Sequence, residues 1–132
     1  MKNIPESHLD LIKDEKKAFA YLATTMDDGS PQVTPVWFNV DGEYLLINSA
    51  EGRVKDRNIR ARPGIALVIV DADDPYRYLQ LRGKVVEYTM DGADDHIDAL
   101  SFKYTGKPQY QWRNQKEKRV KYKIRIENVD AH

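Results

Sequence analysis

With 132 residues, the chain has the length of one domain with one core, and its 41% hydrophobic and 32% charged content is globular and excludes a disordered tail. Its 21 basic residues balance 21 acidic ones, which excludes a polybasic nucleic-acid coat or membrane anchor. No cysteine is present, which excludes disulfide and thiolate chemistry.

From Met1 to Lys17 charges are frequent and the apolar stretch of a signal peptide is missing. No run reaches the roughly 20 apolar residues of a membrane span, so the expectation is a cytoplasmic protein. Leu9, Leu11 and Ile12 predict one short amphipathic helix over Pro5 to Lys17, with the proline near its first turn. Phe19 to Thr25 reads as a strand. Asp27-Asp28-Gly29-Ser30 is a hairpin signal, because glycine after aspartate supplies the positive φ of a tight turn. Gln32 to Val40 is then the second strand, Asp41-Gly42 a turn, and Glu43 to Asn48 the third strand.

Gly52 to Arg62 predicts a helix, stopped by Pro63-Gly64. The unbroken apolar run Ile65 to Val70 predicts a strand buried on both faces. A turn over Asp71 to Pro75 leads into a long strand from Tyr76 to Tyr88, in which Gly83 marks a bulge or barrel corner. Asp91 to Tyr104 predicts a helix: Ala93, Ile97, Leu100 and Tyr104 share a face, acids crowd the first turn, and Gly106 and Pro108 close it. Gln109 to Glu117 is polar and irregular, and Val120, Tyr122, Ile124 and Ile126 alternate with charged residues in a last half-buried strand. Six strands joined mostly by hairpins, with two to three flanking helices, predict a mainly β, six-stranded antiparallel barrel, closed or partly open, over residues 1–132 as one unit.

The segment that carries most chemistry is Asn48-Ser49-Ala50-Glu51-Gly52-Arg53-Val54-Lys55-Asp56-Arg57-Asn58. A strand runs into small residues, then into a helix start rich in cations, which suits a phosphate group. Such a run is as often a solvated helix face. Arg53 and Arg57 share a face at i,i+4 and Lys55 points elsewhere, so not all the cations serve one ligand. Arg53 and Lys55, nearest the helix start, are the preferred partners, and Asn58 can fix the turn. Pro35, inside Gln32-Val33-Thr34-Pro35-Val36-Trp37-Phe38, removes a ladder donor. An edge strand explains that, and so does a flat ligand meeting the backbone of Thr34 to Val36, with the Gln32 amide at its rim. Tyr76 and Tyr78 can wall a planar ring or pack in a core. The aromatic and basic run Trp112 to Arg119 fits a ligand, a dimer surface or, less well given the neutral charge, a nucleic acid. His8, His96 and His132 lack metal-ligand spacing, and no metal is expected. No nucleophile elbow, dinucleotide fingerprint or Walker loop occurs, so any redox chemistry needs a borrowed cofactor.

Taken in order, Leu22-Ala23-Thr24, Asp28 to Phe38, Asn48 to Ala50, Gly52 to Arg60, Asp73 to Tyr78 and Arg82-Gly83 resemble the pyridoxamine 5′-phosphate oxidase-like flavoproteins, most closely the branch using the deazaflavin coenzyme F-420. The resemblance runs from about Leu9 to Val129. It implies a split β-barrel and a homodimer with two cofactor sites at the interface, taking F-420 or FMN. It implies that the cofactor phosphate meets Arg53 and Lys55, aided by Asn48, Ser49 and Asn58, with the ring against Gln32, Thr34, Pro35 and Val36. Tyr76 or Tyr78 would cover the ring, and Arg119 would come from the partner chain. Arg57, Arg60, Arg77 and Arg113 remain for the acidic tail of F-420. The implied activity is hydride transfer to or from a small conjugated molecule. No obligatory acid or base is named; solvent can supply a proton, and Tyr76 is the side chain to test. The alternative is a carrier or sensor that binds the cofactor without turnover. The substrate-phosphate residues of the longer pyridoxamine phosphate oxidases are missing, which disfavours vitamin B6 oxidation.

Overall fold

The computed structural model describes residues 1–132. The chain opens with two 3-10 segments, Glu6–Ile12 and Asp14–Lys16, where the sequence predicts one amphipathic helix. Only His8 and Leu11 are buried there, too narrow a stripe to hold an α-helix by packing. Ion pairs dock the segment instead: Asp10 meets Arg77, and Lys16 reaches Asp71 at 3.2 Å.

Seven strands and two α-helices follow: β1 (Ala20–Thr25), β2 (Pro31–Val36), β3 (Phe38–Asp41), β4 (Tyr44–Ala50), α1 (Val54–Ala61), β5 (Gly64–Asp71), β6 (Asp74–Thr89), α2 (Ala93–Thr105) and β7 (Arg119–Ala131). No helix is long and apolar enough to cross a membrane. The strands form one sheet in the order β2-β1-β5-β6-β7-β4-β3, antiparallel throughout. The expected six strands become seven because Gln32 to Val40 is broken at Trp37. One half pairs with β1 and the other with β4. Since β2 and β3 lie at opposite ends of the strand order yet are joined through one residue, the sheet must curl until its two edges meet at Trp37. That is a split barrel.

The turn before β2 follows the expected hairpin, with Gly29 at φ 86° and the Ser30 amide donating to Asp28. Gly83 sits at a register shift against β7, and a Cβ there would run into the Arg125 carbonyl, so the bulge needs a glycine. Leu22, Leu45, Ile47, Leu67, Ile69, Leu79, Leu81, Tyr122 and Ile124 fill the barrel interior. Strand β5 alternates buried and half-buried residues and is not covered on both faces as its apolar run suggested. Its inner side packs in the barrel while Ala66, Val68 and Val70 turn outward. Strand β4 is the one buried on both sides, because α2 covers its outer face.

Candidate functional site

The strand-to-helix junction anticipated from sequence places three cations together. Arg53 precedes α1, Lys55 lies in its first turn, and Arg119 opens β7 beside the end of β4. All three line a cavity of about 330 Å³ with Asn48, Pro35, Val36, Phe19, Trp37, Ile97, Leu100, Tyr110 and Trp112. Its lining therefore combines cations with aromatic rings. A larger hollow of about 580 Å³ over Asp95, Asp98, Lys107 and Gln109 is walled by polar residues and Pro108, and offers a planar ring nothing to pack on.

The cations outnumber their counter-charges. Glu117 meets Arg53 at 2.6 Å and Arg119 at 3.3 Å, while Lys55 has no carboxylate partner. Burial pulls the Lys55 ammonium below its ordinary pKa of 10.5, and the charges of Arg53 and Arg119 pull it further. An anion entering here would reverse that penalty. Glu117 is the only carboxylate on this cluster and competes for the same space. Glu117→Gln should therefore tighten phosphate or pyrophosphate binding about two- to fivefold by calorimetry; weaker binding would show that Glu117 organises the arginines instead.

The backbone contributes less than the sequence suggested. The Gly52 amide donates to the Asp56 carboxylate at 2.9 Å, and the Arg53 amide to the Ala50 carbonyl at 3.3 Å, so these donors are taken before a ligand arrives. Asp56 is buried and also accepts from Tyr122 Oη and from Arg60 Nε at 2.9 Å. Its desolvation favours the neutral acid, but these hydrogen bonds outweigh that and hold the carboxyl below its ordinary 3.8. It thus fixes the start of α1 on the barrel wall.

Of the residues singled out in the sequence, Pro35, Val36, Asn48, Arg53, Lys55 and Arg119 come together at the cavity. Arg119 lines the cavity of the same chain as Arg53 and Lys55. The others do not line it. Gln32 and Thr34 lie on edge strand β2, where the Gln32 amide oxygen accepts from Thr24 at 3.5 Å; the edge position also accounts for Pro35. Ser49 alternates with Asn48 along β4, is 1% exposed, and its hydroxyl has no hydrogen-bond partner. Asn58 is buried and donates to Thr24 Oγ1 at 3.0 Å, tying α1 to β1. Tyr76 is 88% exposed, and Tyr78 stacks on His132 at 4.7 Å. Three of the four spare arginines are already paired: Arg60 with Asp56, Arg77 with Asp10 and Asp71, Arg113 with Asp94 and Asp98. Arg57 reaches only the Gly52 carbonyl, at 3.2 Å.

Sequence reasoning singled out Trp112 and Arg119 in one aromatic and basic run and predicted the α2 face, but missed that Trp37 and Tyr110 join that run and that Ile97 and Leu100 of α2 line the same cavity. Trp37 stacks on Tyr104 at 5.3 Å, Tyr110 meets its ring edge-on at 6.3 Å, and Trp112 tilts against it at 6.4 Å. The Arg119 guanidinium lies 5.2 Å over the Tyr110 ring. The available signal was the clustering of Tyr110, Trp112 and Arg119 in one otherwise polar stretch.

Known proteins share this architecture. An F420 reductase structure matches with a TM-score of 0.85 and 35% identity, over 96% of this chain and 98% of that one. A conserved hypothetical protein from Mycobacterium tuberculosis matches at 0.74 and 21%, over 97% and 84% of the two chains. HupZ from Group A Streptococcus matches at 0.67 and 22%, over 97% and 93%; these last two likenesses bear on the fold alone. The family profile described as pyridoxamine 5′-phosphate oxidase spans residues 4–132, and with the split barrel it places this chain in the pyridoxamine 5′-phosphate oxidase-like family.

Proposed function

We propose that this chain is an oxidoreductase that binds coenzyme F-420 or FMN in the cavity between α1, β7 and α2, as a homodimer. The observation that carries the reading is the pairing of an incompletely neutralised cation cluster with aromatic side chains in one cavity: Lys55, without a carboxylate partner, with Arg53, Arg119, Trp37, Tyr110 and Trp112. A phosphorylated planar cofactor has complementary halves. The resemblance to an F420 reductase favours the deazaflavin, and Arg57, free of carboxylates, is the cation left for an acidic tail.

The cofactor, when bound, supplies hydride transfer. The chain binds the phosphate through Arg53, Lys55 and Arg119, seats the ring against Pro35, Val36 and Trp37, and excludes water with Tyr110 and Trp112. Its contribution is orientation and dryness. The second copy has an apolar face to cover: Tyr21 lies between Pro35 and Val68 in register, with Val33 nearby and 62% exposed.

Side-by-side absorbance titrations with FMN and F-420, followed by reoxidation of the reduced complex with conjugated acceptors, test this reading. Saturable binding of one cofactor is expected, with sedimentation as a dimer. Binding of neither would sink the proposal. Binding without reoxidation faster than that of free cofactor would make the protein a carrier.

A further inference from the structure

From Arg119 in the cation cluster a hydrogen-bond chain runs back into the fold, and its other members, Asn48, His96 and Asn39, have no role in the proposed chemistry. Arg119 Nε donates to Asn48 Oδ1 at 2.9 Å. Asn48 Nδ2 lies 2.9 Å from the Ala93 carbonyl and 3.1 Å from His96 Nδ1. His96 Nε2 lies 2.9 Å from Asn39 Oδ1. The four side chains come from β7, β4, α2 and β3, so the chain stitches the cavity floor to the helix above it.

The polarity of this chain is dictated at both ends of the Asn48 amide. An arginine Nε–H can only donate, so the atom facing it is the amide oxygen. A backbone carbonyl can only accept, so the atom facing Ala93 is the amide nitrogen. His96 Nδ1 therefore faces a donor and has to be unprotonated, and its single proton sits on Nε2, directed at Asn39. The environment agrees: burial pushes the imidazole down to about 4, helped by the positive charges of Lys121 and Arg119 from β7, while Asn39 and Asn48 on the other strands are neutral. A proton on Nδ1 would set two donors against each other in a buried site, a costly arrangement.

Resting on the cofactor-site reading above, we propose that His96 is a positioning residue for the anion seat. Its neutral, Nε2-protonated ring holds the Asn48 amide in the orientation that accepts from Arg119 Nε. That contact fixes the Arg119 side chain and leaves its two Nη groups for Glu117 and an incoming phosphate. His96 touches no ligand; it acts through Asn48 on Arg119.

The test is a double-mutant cycle read by titration with FMN and with F-420, together with 15N NMR of the ligand-free protein. His96→Leu should weaken binding about three- to tenfold in the wild-type background and by less than about twofold in the Arg119→Met background. His96→Asn, whose side-chain oxygen can take the place of Nδ1, should restore affinity. Equal losses in both backgrounds would mean a merely structural histidine and would overturn the inference. The NMR arm decides the matter where His96→Leu fails to fold or where neither cofactor binds wild type, the latter being failure of the cofactor reading itself. There the inference requires the Nε2-protonated tautomer and a slowly exchanging Arg119 Nε–H; the other tautomer, or a rapidly exchanging Nε–H, rejects it.

Discussion

Replacing Lys55 with alanine should weaken FMN or F-420 binding about ten- to a hundredfold, the loss of a charge-assisted contact of about 1.5–3 kcal/mol. The figure belongs to the upper part of the range for single contacts because Lys55 is partly desolvated and has no carboxylate to fall back on. Arg53 and Arg119 each keep Glu117 as a partner, so truncating either should cost less. The pH dependence carries the sign of this argument. The Lys55 pKa lies below 10.5 in the empty cavity, and a bound anion favours the charged form. Affinity should therefore be full at neutral pH and fall as pH rises through the lowered Lys55 pKa, below the ordinary lysine range. Lys55→Ala should lack that alkaline limb. An unchanged dissociation constant at neutral pH would move the phosphate elsewhere on the molecule.

Asp56→Ala should be the most destabilising single change near the site, at about 3–5 kcal/mol in urea or thermal unfolding. The carboxylate is buried and satisfies three donors at once: the Gly52 amide, Tyr122 Oη and Arg60 Nε. Tyr122 itself is fully buried, and burial, reinforced by the Asp56 carboxylate beside it, pushes its phenol well above the ordinary tyrosine range. Removing the acceptor strands the Tyr122 hydroxyl in the barrel wall, where water cannot replace it, and leaves the Gly52 amide and Arg60 to solvent. The linkage follows from the direction of the Asp56 shift. Its native pKa lies below 3.8, so its contribution is present above that value and is lost as pH falls through the depressed native one. A loss of under about 1 kcal/mol for Asp56→Ala would mean that the start of α1 is held by other contacts.

The two predictions separate roles that one short segment superimposes. In Arg53-Val54-Lys55-Asp56-Arg57-Asn58, Asp56 and Asn58 are buried against the barrel, while Arg53 and Lys55 face the cavity. Asn58 reads as a ligand residue by its spacing, yet its amide is used up on Thr24 and Met26. A sequence motif carries residue types and spacing; it does not say which polar groups the fold has already satisfied.

What the sequence by itself determined is whatever short-range physics governs: the hairpin at Asp27 to Ser30, the buried face of α2, the Gly83 bulge and the cation-rich exit from β4. Each depends on a φ requirement, a helical period or a local run of charge, and all of these act within a few residues. Only the tertiary structure decided the rest. Nothing in Val36-Trp37-Phe38 marks a strand break, because the break exists to let two distant edges of a curled sheet meet. Nor does spacing bring Glu117 onto Arg53, 64 residues away, or Arg119 onto Asn48, 71 away. Those meetings are set by the β4–β7 register and by α2 closing over it, and they turn a basic helix start into one wall of a cavity lined by cations and aromatic rings.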